Sequence, residues 1–426
     1  MSKRANSDNP LKILFLAHFY PPEMGGAAAR ISGLAGWFHK LGNDVTVITG
    51  FPNYPGGQIY KGYTPGLLRK EILDAVTIIR TWVYFTRKKS PVLRILNYIS
   101  FMVSSVIAGI KLKNQFDIII VSSPPLFIGI SGWLLSKIWH TPWIFDIRDI
   151  WPDVAVEAGE YKESALIVRI GSLVTKLIYN SANHLTPVTE SKCKKIIEQG
   201  IDKNKISIVP NGIDMQYISF DDQIDWRKEL NLQNKFIFIY AGLIGIAQGL
   251  DIIIESASNL TENDEIHFLI VGDGVQKKQL QLRAKQLNLS NITFLNSQKR
   301  ENIAPLLKTS DVAVIPLVNA AISDAVPSKL LEAWGCKKPV ILIASGESNM
   351  IVKNVDGGLT VNPGDIPGLV KNILDMYQNK SRLQHYGNNG YKYVTKSFTR
   401  EILARQMVNV IKKYVLTDAS ITKVMP

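Results

Sequence analysis

FIFIYAG (236–242) is an unbroken run of large apolar residues that ends in glycine and opens into the loop LIGIAQGLD (243–251). A strand with no polar alternation is buried on both faces, and such strands belong to parallel sheets covered by helices on either side. The same unit recurs downstream as IHFLIVGDG (266–274), ITFL (292–295), VAVIPL (312–317), PVILIAS (339–345) and LTVN (359–362), with segments of helix length between them. Upstream, an equivalent set reads LKILFLAHF (11–19), DVTVITG (44–50), TIIRTWVYF (77–85), FDIIIVSSP (116–124), TPWIFDIRD (141–149), HLTPVT (184–189) and ISIVPNG (206–212). Two sets in tandem predict an α/β protein of two doubly wound domains. Pro210-Asn211-Gly212 is a strong turn signal between them, and SFDDQID (219–225) reads as a polar connector.

Length and composition agree with this reading. A chain of 426 residues implies about two or three domains. Its 46% apolar and 20% charged residues are those of a globular α/β protein. The polar start MSKRANSDNP lacks the apolar run of a secretory leader. Cys193 and Cys336 are too few and too separated to suggest a staple or a metal site, which fits a reducing, cytoplasmic compartment.

The net charge of +13 is uneven. Residues 61–113 hold ten Lys/Arg against Glu71 and Asp74. Such a cluster attracts an anionic membrane surface or nucleic acid, or else forms a solvated face. Within it, ILNYISFMVSSVIAGI (95–110) is uncharged and lies between Arg94 and Lys111. Sixteen residues fall short of the ~20 a span requires. Asn97, Ser100, Ser104 and Lys111 form a narrow polar stripe, so the segment reads as a helix in the plane of a membrane surface or as a helix packed on its own sheet. IIIVSSPPLFIGISGWLLS (118–136) is broken by Pro124-Pro125 and is not a span.

In open α/β sheets ligands bind at the carboxyl ends of strands, on loops and helix N-termini. After the first strand, Gly25-Gly26 can bring bare backbone to a phosphate, or can serve close helix packing. Gly242, Gly245 and Gly249 offer the same choice after 236–242. VGDG (271–274) contributes Gly272, but Lys277 stands where a third glycine would complete a dinucleotide fingerprint, so a nicotinamide enzyme is disfavoured. SDAVPSKLLEAWGCKKPV (323–340) is the most informative loop. Pro327 suits a helix start, the free N–H groups of that turn make an anion site, and Ser328, Lys329 and Glu332 share one face. There a carboxylate can accept from ribose hydroxyls while the helix end and Lys329 hold a diphosphate; the plainer reading is a surface Lys–Glu pair.

Taken together, YPPEMGG (20–26), FPNYPGG (51–57), DIRDIWPD (146–153), PNGID (210–214), YAGLIGIAQGL (240–250) and PSKLLEAWGCKKPVI (327–341) resemble family 4 of the retaining glycosyltransferases, over nearly the whole chain. Look-alikes include the L-fucosamine transferases of O-antigen and capsule assembly. The resemblance implies the GT-B fold: two facing Rossmann-like domains with an interdomain cleft, a first domain over 1–209 completed by a crossing C-terminal helix within 398–426, and a second over 210–397. It implies no cofactor and no metal, a UDP-linked sugar donor, and a polyprenyl diphosphate-linked saccharide acceptor at the inner face of the cytoplasmic membrane. Nucleic acid is not an expected partner.

The family's Glu, seven residues, Glu motif falls on Asp324 and Glu332, which makes Glu332 the ribose contact and Asp324 a contact to the transferred sugar. The Arg and Lys that many members use on the diphosphate are missing; Leu243 and Gln248 stand in that region. The charge then falls to Lys329, with Ser328, Leu330 and the glycines beside it, and to Arg300 or Arg30. Asp149, with Asp146 and Arg148 in the same motif, is the expected catalytic group of the acceptor domain, and Arg148 a contact to acceptor phosphate. Rival readings are a same-fold sugar-nucleotide 2-epimerase or phosphorylase and a non-enzymatic basic membrane- or nucleic-acid-binding protein.

Overall fold

The computed structural model describes residues 10–54, 56–88, 90–113, 115–157, 162, 164–219, 224–317 and 324–416. Of the segments read above, residues 1–9, Pro55, Lys89, connector residues 220–223, Ser323 and residues 417–426 lie outside the described residues. The chain divides into two units, 1–211 with 400–426, and 212–399. These bounds fall two residues from those expected.

The first unit is built on a seven-stranded sheet: β1 (Lys12–Ala17), β2 (Asp44–Gly50), β3 (Leu68–Leu73), β4 (Val76–Thr81), β5 (Ile118–Ser123), β6 (Trp143–Ile147) and β7 (His184–Pro187), in the order β3-β4-β2-β1-β5-β6-β7. All pairings are parallel except β3 with β4. The order reverses between β1 and β5, where such sheets open a crevice at the strand carboxyl ends. One sheet face carries α1 (Gly26–Lys40) and the carboxyl-terminal helix Arg400–Val410, whose Leu403, Met407 and Val410 share a core with Ile31, Leu34 and Phe38. A side chain at Gly33 would collide with Arg400, so that glycine sets the approach of the returning helix. The other face carries α2 (Pro91–Leu112), α3 (Ile128–Trp139) and α4 (Leu166–Ser181), packed through Phe101, Ile128, Leu135 and Ile178.

Two sequence expectations change here. β3 was not expected; its exposed, charged LRKEIL has no continuous apolar run because it is an edge strand. The run 77–85 ends as a strand at Thr81, and 206–212 makes only an isolated bridge at Ile206.

The second unit has six parallel strands: β8 (Phe236–Ala241), β9 (Ile266–Val271), β10 (Ile292–Leu295), β11 (Val312–Pro316), β12 (Val340–Ile343) and β13 (Gly358–Val361), ordered β10-β9-β8-β11-β12-β13. Strand order reverses between β8 and β11. Its two cores, around Trp334 and Leu330 on one face and Phe238 and Phe268 on the other, cover both sides of the sheet. α5 (Arg300–Thr309) and α6 (Ser328–Gly335) lie on the first of these faces.

Candidate functional site

In the second unit the carboxyl end of β8 meets the start of α6. Pro327 precedes the helix, no side chain caps it, and no acidic residue lies in its first turn. The amides of its first turn point out of the helix and carry the positive end of its dipole. Lys329 folds back along β8. A Cβ on Gly242 would stand 2.2 Å from its Cε and 2.8 Å from its Nζ, so only glycine at 242 leaves the amine its place. Nζ lies 5.6 Å from the Tyr240 ring centroid and, among the described residues, forms no ion pair. Burial lowers its pKa, and Glu332 works against that shift.

Glu332 lines a small pocket with Lys329, Ile239, Ala241 and Ile315. Its side chain is 14% exposed, and Oε1 lies 2.6 Å from Nη2 of Arg300. Arg300 is thus the partner of the expected ribose contact rather than a free diphosphate cation. It also lies 5.7 Å over the Tyr217 ring. Asp324 is buried. Ser328, half-buried, opens α6.

Several expected ligands take other work. Leu330 is fully buried, and its amide donates to Pro327 O (3.0 Å), which removes it from the ligand-facing set. Gln248 accepts from Gly245 N through Oε1 (3.1 Å) and so braces the loop. Gly272, at φ 148°, is buried against the neighbouring loop; a Cβ there would lie 1.9 Å from Gly242 O. It fits the β8 and β9 loops together instead of meeting phosphate. Gly272→Ala is expected to cost about 1–3 kcal/mol from the backbone region alone, read as a lowered urea midpoint.

Lys277 is more than the residue that replaces a glycine. Its Nζ reaches Gly272 O (2.8 Å), Asp273 Oδ1 (3.0 Å), Leu295 O (3.0 Å) and Asn296 Oδ1 (2.8 Å), pinning the β9 loop. A lysine at a helix start beside carbonyl-ending strands was the available signal.

In the first unit Gly25 (φ 138°) precedes α1, which also lacks a side-chain cap and first-turn acid. A Cβ at Gly26 would sit 3.1 Å from Nη2 of Arg148. Arg148 follows β6; its Nε is buried without a hydrogen-bond partner, and burial lowers its pKa while Asp149 opposes. Asp149 is half-buried beside it.

Asp146 and Arg30 are corrections. Asp146 is 0% exposed. It accepts from Arg30 Nη2 (2.7 Å) and Nε (3.0 Å), Ser122 Oγ (2.8 Å) and Thr186 Oγ1 (3.1 Å). Arg30 also donates to Pro210 O and Val209 O. Both charges are consumed in holding strands, helix and the end of the unit together, so neither is placed to touch substrate.

Two further groups at this sheet edge went unnoticed in the sequence. Buried Glu23, in the loop after β1, accepts from the amides of Tyr20, Asn53 and Tyr54; burial still raises its pKa. His18 lies against Phe19, Tyr98 and Phe101 with its pKa lowered to about 3 by burial. Asn97 approaches the ring but donates to Tyr84 O (2.5 Å), leaving the ring nitrogens without a well-formed bond.

Sequence models of two families match the chain: "Glycosyl transferase 4-like domain" over residues 25–212 and "Glycosyl transferases group 1" over 222–393. A protein of Escherichia coli K12 named for colanic acid biosynthesis, the glycosyl transferase WcaI, is 27% identical over 413 residues, 94% of this chain and all of the relative. An E. coli UDP-Gal:alpha-D-GlcNAc-diphosphoundecaprenol alpha-1,3-galactosyltransferase is 29% identical over 192 residues, 43% of this chain and 48% of its own length. Among solved structures, Anabaena Alr3699/HepE in complex with UDP superposes with a TM-score of 0.71 at 16% identity, covering 94% of this chain and all of the other. The two parallel-sheet units are those of the GT-B fold.

Proposed function

Because the chain belongs to the family 4 glycosyltransferases with the GT-B fold, we propose that it moves a sugar from a UDP-linked donor to a polyprenyl diphosphate-linked saccharide in O-antigen or capsule assembly. The transferred sugar in this proposal is an N-acetylated one such as L-FucNAc, from the likeness of the motifs to the L-fucosamine transferases. The names of the WcaI relative and of the diphosphoundecaprenol galactosyltransferase support a role in surface-glycan assembly and a lipid-linked acceptor.

One observation carries the donor site. An amine that forms no ion pair among the described residues rests in the space left by Gly242, beside the uncapped start of α6. Departure of the nucleoside diphosphate builds negative charge on its terminal phosphate, and a fixed cation with oriented N–H groups stabilises that charge without reorganisation. Glu332, held by Arg300, accepts from ribose hydroxyls in the proposed complex. Anomeric configuration is retained by attack on the face the leaving group vacates: the acceptor oxygen bonds to the anomeric carbon as its bond to the diphosphate breaks, and the acceptor proton passes to the departing phosphate oxygen, so no protein nucleophile enters. In the first unit Asp149 orients the acceptor hydroxyl and Arg148 meets acceptor phosphate. No metal is assigned a role. The enzyme works at the inner face of the cytoplasmic membrane, held there by the basic segment 61–113.

The test is a panel of nucleotides and nucleotide sugars scored by thermal protection. At a hundredfold excess over Kd, UDP is expected to add about 2.7 kcal/mol of apparent stability. Protection by another nucleotide but not UDP would overturn the choice of base. The donor that protects is then incubated with and without lipid-linked acceptors. Sugar altered in the absence of acceptor would make the protein an epimerase.

A further inference from the structure

An ordinary surface helix turns its apolar face to the core and its polar face to water. α2 departs from this: Phe101 and Ala108 pack inward, but its polar stripe does too, and a second apolar stripe faces out. Asn97 donates to Tyr84 O (2.5 Å), Ser100 Oγ accepts from Tyr84 N (2.8 Å) and Ser104 Oγ donates to Thr81 Oγ1 (3.0 Å), so the polar stripe faces inward onto the end of β4. Val92, Leu96, Ile99, Val103, Ile107 and Ile110 recur at helical spacing on the outside, and all are exposed. Among the described residues α2 is also the one helix long and apolar enough to cross a membrane, yet these inward bonds dock it along the sheet.

α4 buries Val168, Gly171, Thr175, Ile178 and Tyr179 and likewise turns apolar residues outward. Leu166, Ile170, Leu173 and Leu177 form a second exposed stripe, with Leu166 at 72% and Leu173 at 70% exposure. α3 lies between the two helices. Gly109 of α2 admits Leu135 of α3, and Gly129 of α3 admits Ile178 of α4, so close approach at two glycines sets the three helices in one layer. Ile138 of α3 is exposed in that layer. The three helices carry Arg94, Lys111, Lys137, Arg169 and Lys176 and no Asp or Glu. A wholly cationic set of helices with outward aliphatic stripes suits one kind of partner, an anionic bilayer surface: the aliphatic chains enter the headgroup boundary and the bases meet lipid phosphate.

We infer that α2, α3 and α4 together form a flat membrane-docking platform, in which the α4 stripe 166–177 is an anchor as necessary as α2. This rests on the reading of the chain as an enzyme of lipid-linked acceptors and extends its contact beyond 61–113. Helices in such a unit start at the carboxyl edge of the sheet. Pro91 and Leu166 begin their helices there, at the same edge as Gly25, Gly26, Arg148 and Asp149. A bilayer lying along the platform therefore brings headgroups level with the acceptor groups of this unit.

The test is flotation of the full-length protein with vesicles of phosphatidylcholine alone or with phosphatidylglycerol. Wild type is expected to float with the anionic vesicles and to be released by salt and by neutral lipid. Ile170→Ser/Leu173→Ser is expected to lower partition at least tenfold, and Arg169→Glu/Lys176→Glu about tenfold. Both pairs are exposed, and unchanged thermal protection by UDP confirms the fold and the donor site. The platform is overturned if these variants float like wild type while Val103→Ser/Ile107→Ser is released, since α2 would then act alone. It is equally overturned if light scattering finds a wild-type dimer that the α4 changes dissociate, since a second copy would then cover the face. Wild type that ignores both vesicles yet transfers sugar to a detergent-dispersed acceptor sinks the platform and leaves the enzymatic reading standing.

Discussion

Lys329→Met is expected to lower kcat by about 10²–10³-fold, the usual loss when one preorganised donor to a developing anion is removed. Affinity for UDP itself should fall less, because charge on the diphosphate grows as the sugar departs. Among the described residues the amine forms no ion pair, and it stands over Gly242. Gly242→Ala should therefore copy much of the defect, since its methyl claims the position of Cε. Lys329→Arg should rescue poorly: the planar guanidinium replaces a compact charge in a space shaped by the lysine stem. The pH profile offers a second reading. Burial holds the lysine pKa below its ordinary value. The charged form is the active one, so the alkaline fall in kcat/KM, which reports the free enzyme, should come below the usual lysine range and disappear from the profile of the arginine variant. Steady-state kinetics with a defined donor and acceptor measure all three. A methionine variant within threefold of wild type would leave the donor site without its principal cation.

The sequence made that site visible because its parts are local. Pro327, Ser328, Lys329 and Glu332 lie within one and a half turns, and helix geometry alone puts them on one side. β8 and β9 were equally plain, because strands buried on both faces leave uninterrupted apolar runs. What stayed hidden depends on partners far away in the chain. Asp146 and Asp149 sit three residues apart in one motif, and nothing in FDIRD tells which is sealed. The answer lies with Arg30, 116 positions away. Gly272 and Lys277 look like a damaged phosphate loop until the β8 loop is laid against them. The polar stripe of α2 was legible, but its direction was not: amphipathic spacing fixes an angle between faces, and only the bonds to Thr81 and Tyr84 say which face is inward. Edge strand β3, with no buried side, gave no periodic signal.

The second large effect is on stability, at Asp146. Asp146→Ala is expected to destabilise the first unit by about 3–5 kcal/mol, the range for stripping one partner from a buried ion pair. The loss is large because Arg30 cannot escape to water. Its guanidinium is also tied to the carbonyls of Val209 and Pro210, and its side chain is sealed beneath α1. Ser122 and Thr186 lose their acceptor at the same time, so β5, β6 and β7 are loosened together. Arg30→Met should cost a similar amount, leaving a buried carboxylate. The double variant Arg30→Met/Asp146→Leu should recover much of the loss, since an apolar pair of similar volume carries no unpaired charge. Calorimetry with and without UDP separates this from catalysis. The transition of the first unit should drop in both single variants, while UDP still protects the second unit. Asp149→Asn gives the contrast: unaltered melting with a strongly reduced kcat. If Asp146→Asn instead melted like wild type and abolished transfer, the carboxylate would have to reach substrate, and its place as the sealed strut between β6 and α1 would be wrong.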